Sequence, residues 1–334
     1  MPSVSFLIRR AMRMDRKALH STVELLHKKT GKSRSWLAFD MLKCARLYGA
    51  GYIDYKIAEM YRLTDAQRET VITRGKSNEI VARMNDKAFW HFFDNKCEFN
   101  RLFADQVKRE WLDLTKASKE EFAAFLKGRG PIIAKPVDGS SGQGILKCIP
   151  EEYADPDALY AKLKAAGIGI IEDCVTQHPT LAALCPTSVN TIRVATLLGD
   201  KQEGIVYARI RIGNGRVMDN VDCGGMAAPI DLNTGILSGP GADKAGNVYE
   251  NHPMTGTRIP GTKLPYWDEV KEMCLTAMHV VPQVRFVAWD VAIREDGPIF
   301  IEGNSFPSHA IPQFAAHYPD GIGIMPRFRE FIEI

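Results

Sequence analysis

No run in the 334 residues is apolar for long enough to cross a membrane. The start, "MPSVSFLIRRAMRMDRK", puts its charges after a short apolar patch and offers no small-residue cleavage site, which argues against a secretory signal. Seven cysteines are present, an odd number without metal-ligand or paired spacing, so zinc ribbons and disulfide scaffolds are excluded. Reduced thiols in a cytoplasm are the simplest account. There is no G-x-S-x-G elbow, no Cys-His signature and no internal repeat, which removes the usual covalent hydrolases and solenoids. From Ser3 to Leu126 the chain is nearly free of proline. That stretch reads as helix, with breaks at "YGAGY" and "TRGKSN" and a capping pattern from Thr64 to Gln67.

The net charge of +3 hides an uneven distribution. Residues 1 to 50 carry Arg9, Arg10, Arg13, Arg16, Lys17, Lys28, Lys29, Lys32, Arg34, Lys43 and Arg46 against Asp15, Glu24 and Asp40. Such a front suits either a solvated helical face or contact with an anionic membrane surface. Nucleic acid is not expected as a partner, because the remainder is slightly acidic and holds no reading module.

From Gly130 onward the texture changes to short β-branched runs separated by Gly, Pro, Asn and Asp. Strands are expected at "PIIAKPV", "ILKCI", "GIGIIEDCV", "TIRVATLLG", "GIVYARIRIG", "MAAPIDL", "VRFVAWDVAI" and "PIFIEGN". Helices interrupt them at "DALYAKLKAAG" and "YWDEVKEMCLTAMHVV". The order is α+β, mostly antiparallel sheet behind a helical front.

Two segments carry chemistry. In "IIAKPVDGSSGQGILKC" Lys135 precedes its glycines and an apolar run follows them, the reverse of a Walker loop. A hairpin with a polar tip is expected. It is either a plain solvated loop or a phosphate cradle in which glycines admit close backbone approach and Lys135 supplies charge. In "FVAWDVAIREDGPIFIEGNSF" the turn at "REDGP" predicts an antiparallel hairpin. A three-residue loop, Glu295 to Gly297, would pair Arg294 with Pro298 and set Asp290 opposite Glu302, with Asn304 on the same face. Two carboxylates and a carboxamide on an apolar hairpin suit Mg²⁺. Arg193, Arg209 and Arg211 alternate with apolar residues, so each strand has a basic face. Of these, Arg193 and Arg211 are expected to hold phosphate as charge moves. Asn220, with Gly224 and Gly225, lies on a Gly-rich loop leading into "MAAPIDL" that is expected to present backbone amides to an acceptor substrate; His309 either reaches substrate or caps a loop, and Trp111 and Trp267 read as packing.

A lysine before a Gly-rich hairpin, a hinge like "IIEDCV" and a terminal Asp then Glu-x-Asn resemble the ATP-grasp superfamily. "NDK", "AKPVDGSSGQGI", "VNTIRV", "RIRIG", "DNVDCGGMAAPIDLNTGIL" and "FIEGNSFP" resemble its sugar-transfer-associated group from bacterial polysaccharide loci, over about Asn85 to Pro312. The resemblance implies an ATP-grasp fold: two α+β subdomains clamping a nucleotide, preceded by a helical N-terminal region. Residues 1–84 would be that basic helical region and 85–334 the ATP-grasp domain, with a glycine-loop part over about 128–175 and a metal-binding part over about 176–334. Lys87 and Lys135 would hold the ATP phosphates, and Ser140, Ser141 and Gly142 would close over them. Glu172, Asp173, Cys174 and Val175 would form the adenine hinge, with His178 at the ribose. Asp290 and Glu302 would hold one Mg²⁺, and Glu302 with Asn304 a second.

The implied activity is an ATP-dependent ligase that activates a carboxylate as an acyl phosphate and joins it to an amine, with sugar-linked substrates in surface polysaccharide or glycoconjugate modification. A kinase phosphorylating a hydroxyl, or a non-catalytic docking partner of a polysaccharide complex, are the alternatives. The expected location is cytoplasmic, peripheral at the inner membrane face if the basic front binds lipid.

Overall fold

The computed structural model describes residues 15–139, 144–153, 155–215, 219, 221 and 224–334. Ser140, Ser141, Gly142 and Asn220 lie outside them. Two antiparallel sheets organise the chain. The smaller comprises β1 (Trp111–Asp113), β2 (Ile132–Lys135), β3 (Leu146–Cys148) and β4 (Ile170–Asp173), in the order β1-β4-β2-β3. The larger comprises β5 (Ile192–Leu198), β6 (Glu203–Ile212), β7 (Met226–Pro229), β8 (Gly241–Ala242), β9 (Val248–Tyr249), β10 (Phe286–Arg294) and β11 (Gly297–Asn304), in the order β11-β10-β5-β6-β7-β8-β9. Each expected strand is present. β1, β8 and β9 are additional, and all three are too short to show a period in sequence.

The larger sheet is covered on both faces. One packs Leu181, Leu184, Trp267, Val270 and the aromatic group Phe93, Phe99, Phe103, Trp289 and Phe300. The other is apolar at one end, where Ala195, Leu197, Tyr207 and Phe286 meet Ile80, Val81, Met84 and Phe328. At its opposite end the same face turns charged, because the period of two carries Phe286 to Asp290, Tyr207 to Arg211 and Ala195 to Arg193.

The helical front departs from expectation at "TRGKSN". A helix, Arg74–Met84, runs through it, with Thr73 capping Lys76 N–H at 3.4 Å. Gly75 is needed there: a Cβ on it would come 2.9 Å from the Gly49 Cα, so the break at "YGAGY" and this helix touch backbone to backbone. The capping box at Thr64 forms, with Gln67 N–H donating to Thr64 Oγ1 at 3.3 Å and Thr64 N–H to Gln67 Oε1 at 2.9 Å. Behind it Arg68 donates to both carboxylate oxygens of buried Asp40, at 3.0 and 2.7 Å, and Tyr55 Oη donates to Asp40 at 2.7 Å. The front is tied to the far end of the chain as well. Gln313 Oε1 accepts from Ile72 N–H at 3.1 Å and from Ile324 N–H at 3.2 Å.

Candidate functional site

A cleft of about 1390 Å³ lies between the sheets. Its lining comes from β2, the β2–β3 hairpin, the segment after β4, and the charged ends of β5, β6 and β11. Such a space suits a nucleotide together with a second substrate.

On the smaller sheet, β2 and β3 form the expected hairpin, Ile132 opposite Cys148 and Ala134 opposite Leu146. Lys135 ends β2, buried, with Nζ 2.6 Å from Glu172 Oε2. Glu172 is a strand residue whose side chain is enclosed: Arg109 Nη2 and Asn100 Nδ2 each donate to Oε1 at 2.9 Å. Burial alone would raise its pKa, but Arg109 and Lys135 hold the carboxyl well below the usual carboxylate range. Asp173 pairs with Arg129 at 2.7 Å, and Asp173, Cys174 and Val175 line the cleft as the chain leaves β4.

On the larger sheet, Asp290 lies opposite Glu302 across β10–β11 and opposite Arg193 across β10–β5. Arg193 Nε and Nη2 donate to Asp290 Oδ1 and Oδ2, both at 2.8 Å, and Arg211 Nη2 approaches Oδ2 at 3.0 Å. Asp290 is fully buried, yet the two guanidinium groups hold its pKa below the ordinary value despite that burial. Glu302 behaves oppositely: burial and then the neighbouring Asp290 charge raise its pKa. Asn304 lines the cleft two residues on, and its Nδ2 donates to Ala288 O at 3.2 Å, which leaves Oδ1 for a ligand. Arg211 is further set by Thr191 Oγ1 at 2.6 Å and by Asp219 at 3.4 Å.

The expected reason for the Asp290–Glu302 pairing needs correction. The loop has two residues, since Arg294 pairs with Gly297 rather than Pro298. Continued regularly, that register would set Glu302 opposite Trp289, on the apolar face. A β-bulge at Ile301 adds one residue and returns Glu302 to the Asp290 side.

Other expected residues lie elsewhere. Lys87 is exposed, its Nζ 5.9 Å from the Trp90 ring centroid, and is not among the residues lining the cleft. Lys96 takes that place: it lines the cleft and donates to Gly139 O at 2.9 Å, with its pKa lowered chiefly by burial. His178 is a helix cap, Nδ1 accepting from Thr180 N–H at 3.2 Å, and does not line the cleft. Arg209 is held by Tyr318 Oη at 3.0 Å, away from the lining. His309 faces Asp54 of the helical front at 2.8 Å. Trp267 is buried, and Trp111 lies beside Arg101. Sequence reasoning missed Lys96, Arg109, Thr191 and Asp219. Each lies outside a distinctive motif or within one whose other residues drew attention first.

Among the described residues no group of three or more His, Cys, Asp and Glu is arranged to hold a metal. The donor set nevertheless fits a divalent cation. Two carboxylates face one another, one with a pKa raised by burial and then by its neighbour's charge, and a carboxamide oxygen stands beside them.

The family model described as sugar-transfer associated ATP-grasp matches residues 76–331. No curated protein matches the sequence significantly. Among solved structures, the D-alanine–D-alanine ligase from Bacillus anthracis is 13% identical with a TM-score of 0.40, covering 72% of this chain and 66% of that one, just under two thirds of its length. The ATP-grasp ligase PsnB complexed with minimal precursor is 14% identical with a TM-score of 0.41, covering 76% of this chain and 70% of that one.

Proposed function

Because the chain belongs to the sugar-transfer-associated ATP-grasp family, we propose that it is an ATP-dependent ligase joining a carboxylate to an amine, with a sugar-linked compound as one substrate. The observation that carries this reading is that one cleft joins a lysine-bearing hairpin to a row of two buried arginines, buried Asp290 and half-buried Glu302. ATP would lie with its phosphates between Lys96 and Lys135, and its base against the backbone of Asp173, Cys174 and Val175. Asp290, Glu302 and Asn304 would hold Mg²⁺, which supplies charge neutralisation for the phosphates.

The substrate carboxylate oxygen attacks the γ-phosphorus and ADP leaves, giving an acyl phosphate. The amine nitrogen then adds to the acyl carbon, and phosphate departs as the amide forms. Arg193 and Arg211 are fixed before either step by Asp290 and Thr191, so they meet developing charge without reorganising. No nucleophilic side chain is required, which agrees with the motifs the sequence lacks.

The test is calorimetric ATP binding, followed by analysis of products formed with candidate acceptors. Absence of ATP binding sinks the reading. An amide product supports the ligase, and a phosphate ester replaces it with the kinase.

We further infer that the helical front rests on an anionic membrane surface. The supporting feature is the helix Arg34–Leu47, which buries Leu37, Asp40, Met41 and Cys44 and exposes Phe39 at 70%, Leu47 at 55%, Leu42 at 46% and Trp36 at 40%. Trp36, Phe39, Lys43 and Leu47 fall on one helical stripe with Arg46 close by. No helix among the described residues is long and apolar enough to cross a membrane.

A further inference from the structure

Arg109 belongs to no motif that drew attention in the sequence, yet it touches both halves of the cleft. It follows Lys108, whose backbone is left-handed at φ 46° and closes the short helix Ala104–Val107. A non-glycine residue in that region carries a cost, and here it turns the next side chain inward. The Arg109 side chain is almost fully enclosed, 2% exposed. Its Nη2 donates to Glu172 Oε1 at 2.9 Å, and Glu172 in turn holds Lys135. The same guanidinium donates to two backbone carbonyls of β11: Nη1 to Phe300 O, and Nη2 to Ile301 O at 3.3 Å.

Those carbonyls flank the bulge. A bulge interrupts the ladder, so its backbone acceptors need partners from outside the sheet. The bulge also decides which face Glu302 occupies, because a one-residue slip would turn that carboxylate toward the apolar side.

We propose that Arg109 is a positioning residue that couples the two halves of the site: it fixes the Ile301 bulge, and thereby the Asp290–Glu302 pair, to the Glu172–Lys135 pair beneath the nucleotide phosphates. The coupling rests on the nucleotide and metal reading given above. A lysine cannot replace it, since one ammonium lacks the planar fork that reaches a carboxylate and two carbonyls together.

The experiment uses the full chain, Mn²⁺ as the metal probe and a non-hydrolysable ATP analogue. Analogue affinity is measured by calorimetry without metal, and Mn²⁺ affinity by electron paramagnetic resonance with the analogue bound. For Arg109→Lys we expect metal-free analogue affinity within about threefold of wild type, and Mn²⁺ affinity lowered about 10- to 100-fold, as for loss of an outer-shell support. Asn100→Ala is the control. It removes another donor to Glu172 but no hydrogen bond to β11, and should leave Mn²⁺ affinity near wild type. If Arg109→Lys does not unfold cooperatively, Arg109→Gln takes its place with the same expectation. Wild-type Mn²⁺ affinity in the Arg109 variant, or an equal loss in Asn100→Ala, overturns the coupling alone. Failure of wild type to bind the analogue overturns the nucleotide reading and the coupling with it.

Discussion

Among the described residues Glu302 differs from the carboxylates around it in forming no ion pair, Arg211, Arg193 and Lys96 acting on it only at longer range. Asp290 has Arg193 and Arg211, and Glu172 has Arg109 and Lys135, whereas among the described residues no ion pair forms at Glu302. Replacing it with glutamine keeps shape and hydrogen bonding but removes the charge a metal would use. Glu302→Gln should therefore retain ATP binding while Mg²⁺-dependent ADP release falls about 100-fold or more, a loss typical of a transition-state electrostatic contact. Asn304→Ala should lose less, since water can replace a neutral ligand. A wild-type rate of ADP release in Glu302→Gln would remove the metal assignment. The raised pKa of Glu302 gives a second expectation. A carboxyl with a raised folded pKa contributes stability that is full below its unfolded pKa and is lost as pH rises through the folded value. Metal binds the ionised form, so Mg²⁺ should raise the melting temperature more above that pKa than below it. A Mg²⁺ shift that is flat with pH, measured by thermal denaturation, would contradict this.

Elements differ in how much of themselves they display in sequence. The β-branched runs that became β5, β6, β10 and β11 were readable because their apolar and charged residues alternate, and the sheet needs both faces. The Asp290–Glu302 pairing was readable as well, but for a reason the backbone does not follow. A short turn and a bulge offset each other, and neither has a composition signal strong enough to fix a register. Lys96 was hidden because its place in the cleft depends on where a helix, Lys96–Leu102, sits against the hairpin carrying Gly139. The helix Arg34–Leu47 presents the reverse problem: the spacing of Trp36 and Phe39 was plain, but their exposure was not. This face yields an element-scale test. The protein should sediment with anionic vesicles at low salt and be released as ionic strength rises, and Phe39→Ser with Leu42→Ser should weaken the association at least about tenfold, given the apolar area withdrawn from lipid. Equal sedimentation of variant and wild type would exclude this face as the contact.

Across the whole molecule, the front and the last segment of the chain share a small set of hydrogen bonds. Gln313 joins Ile72 to Ile324, Thr70 O accepts from Met325 N–H at 2.9 Å, Thr70 Oγ1 accepts from Gly323 N–H at 2.7 Å, and Gln67 Nε2 donates to Asp320 O at 2.9 Å. Nothing local in either segment advertises the other, so sequence patterning left the role of the front open. Gln313→Leu keeps the side chain's bulk but leaves two buried amides unpaired, at about 1–3 kcal/mol each. Thermal denaturation should show a drop in melting temperature of several degrees, whereas an unchanged transition would mean that these amides find other partners.

The same contacts bear on the order in which the protein comes into being. Synthesis proceeds from the amino end, so residues 67–75 leave the ribosome long before Gln313, Gly323 and Met325 exist. Until those arrive, the Ile72 amide and the Thr70 oxygens lack their native partners, and the front remains an unfinished surface. The helical region is thus made before the segment that completes it, and it closes only once residues 313–325 have emerged.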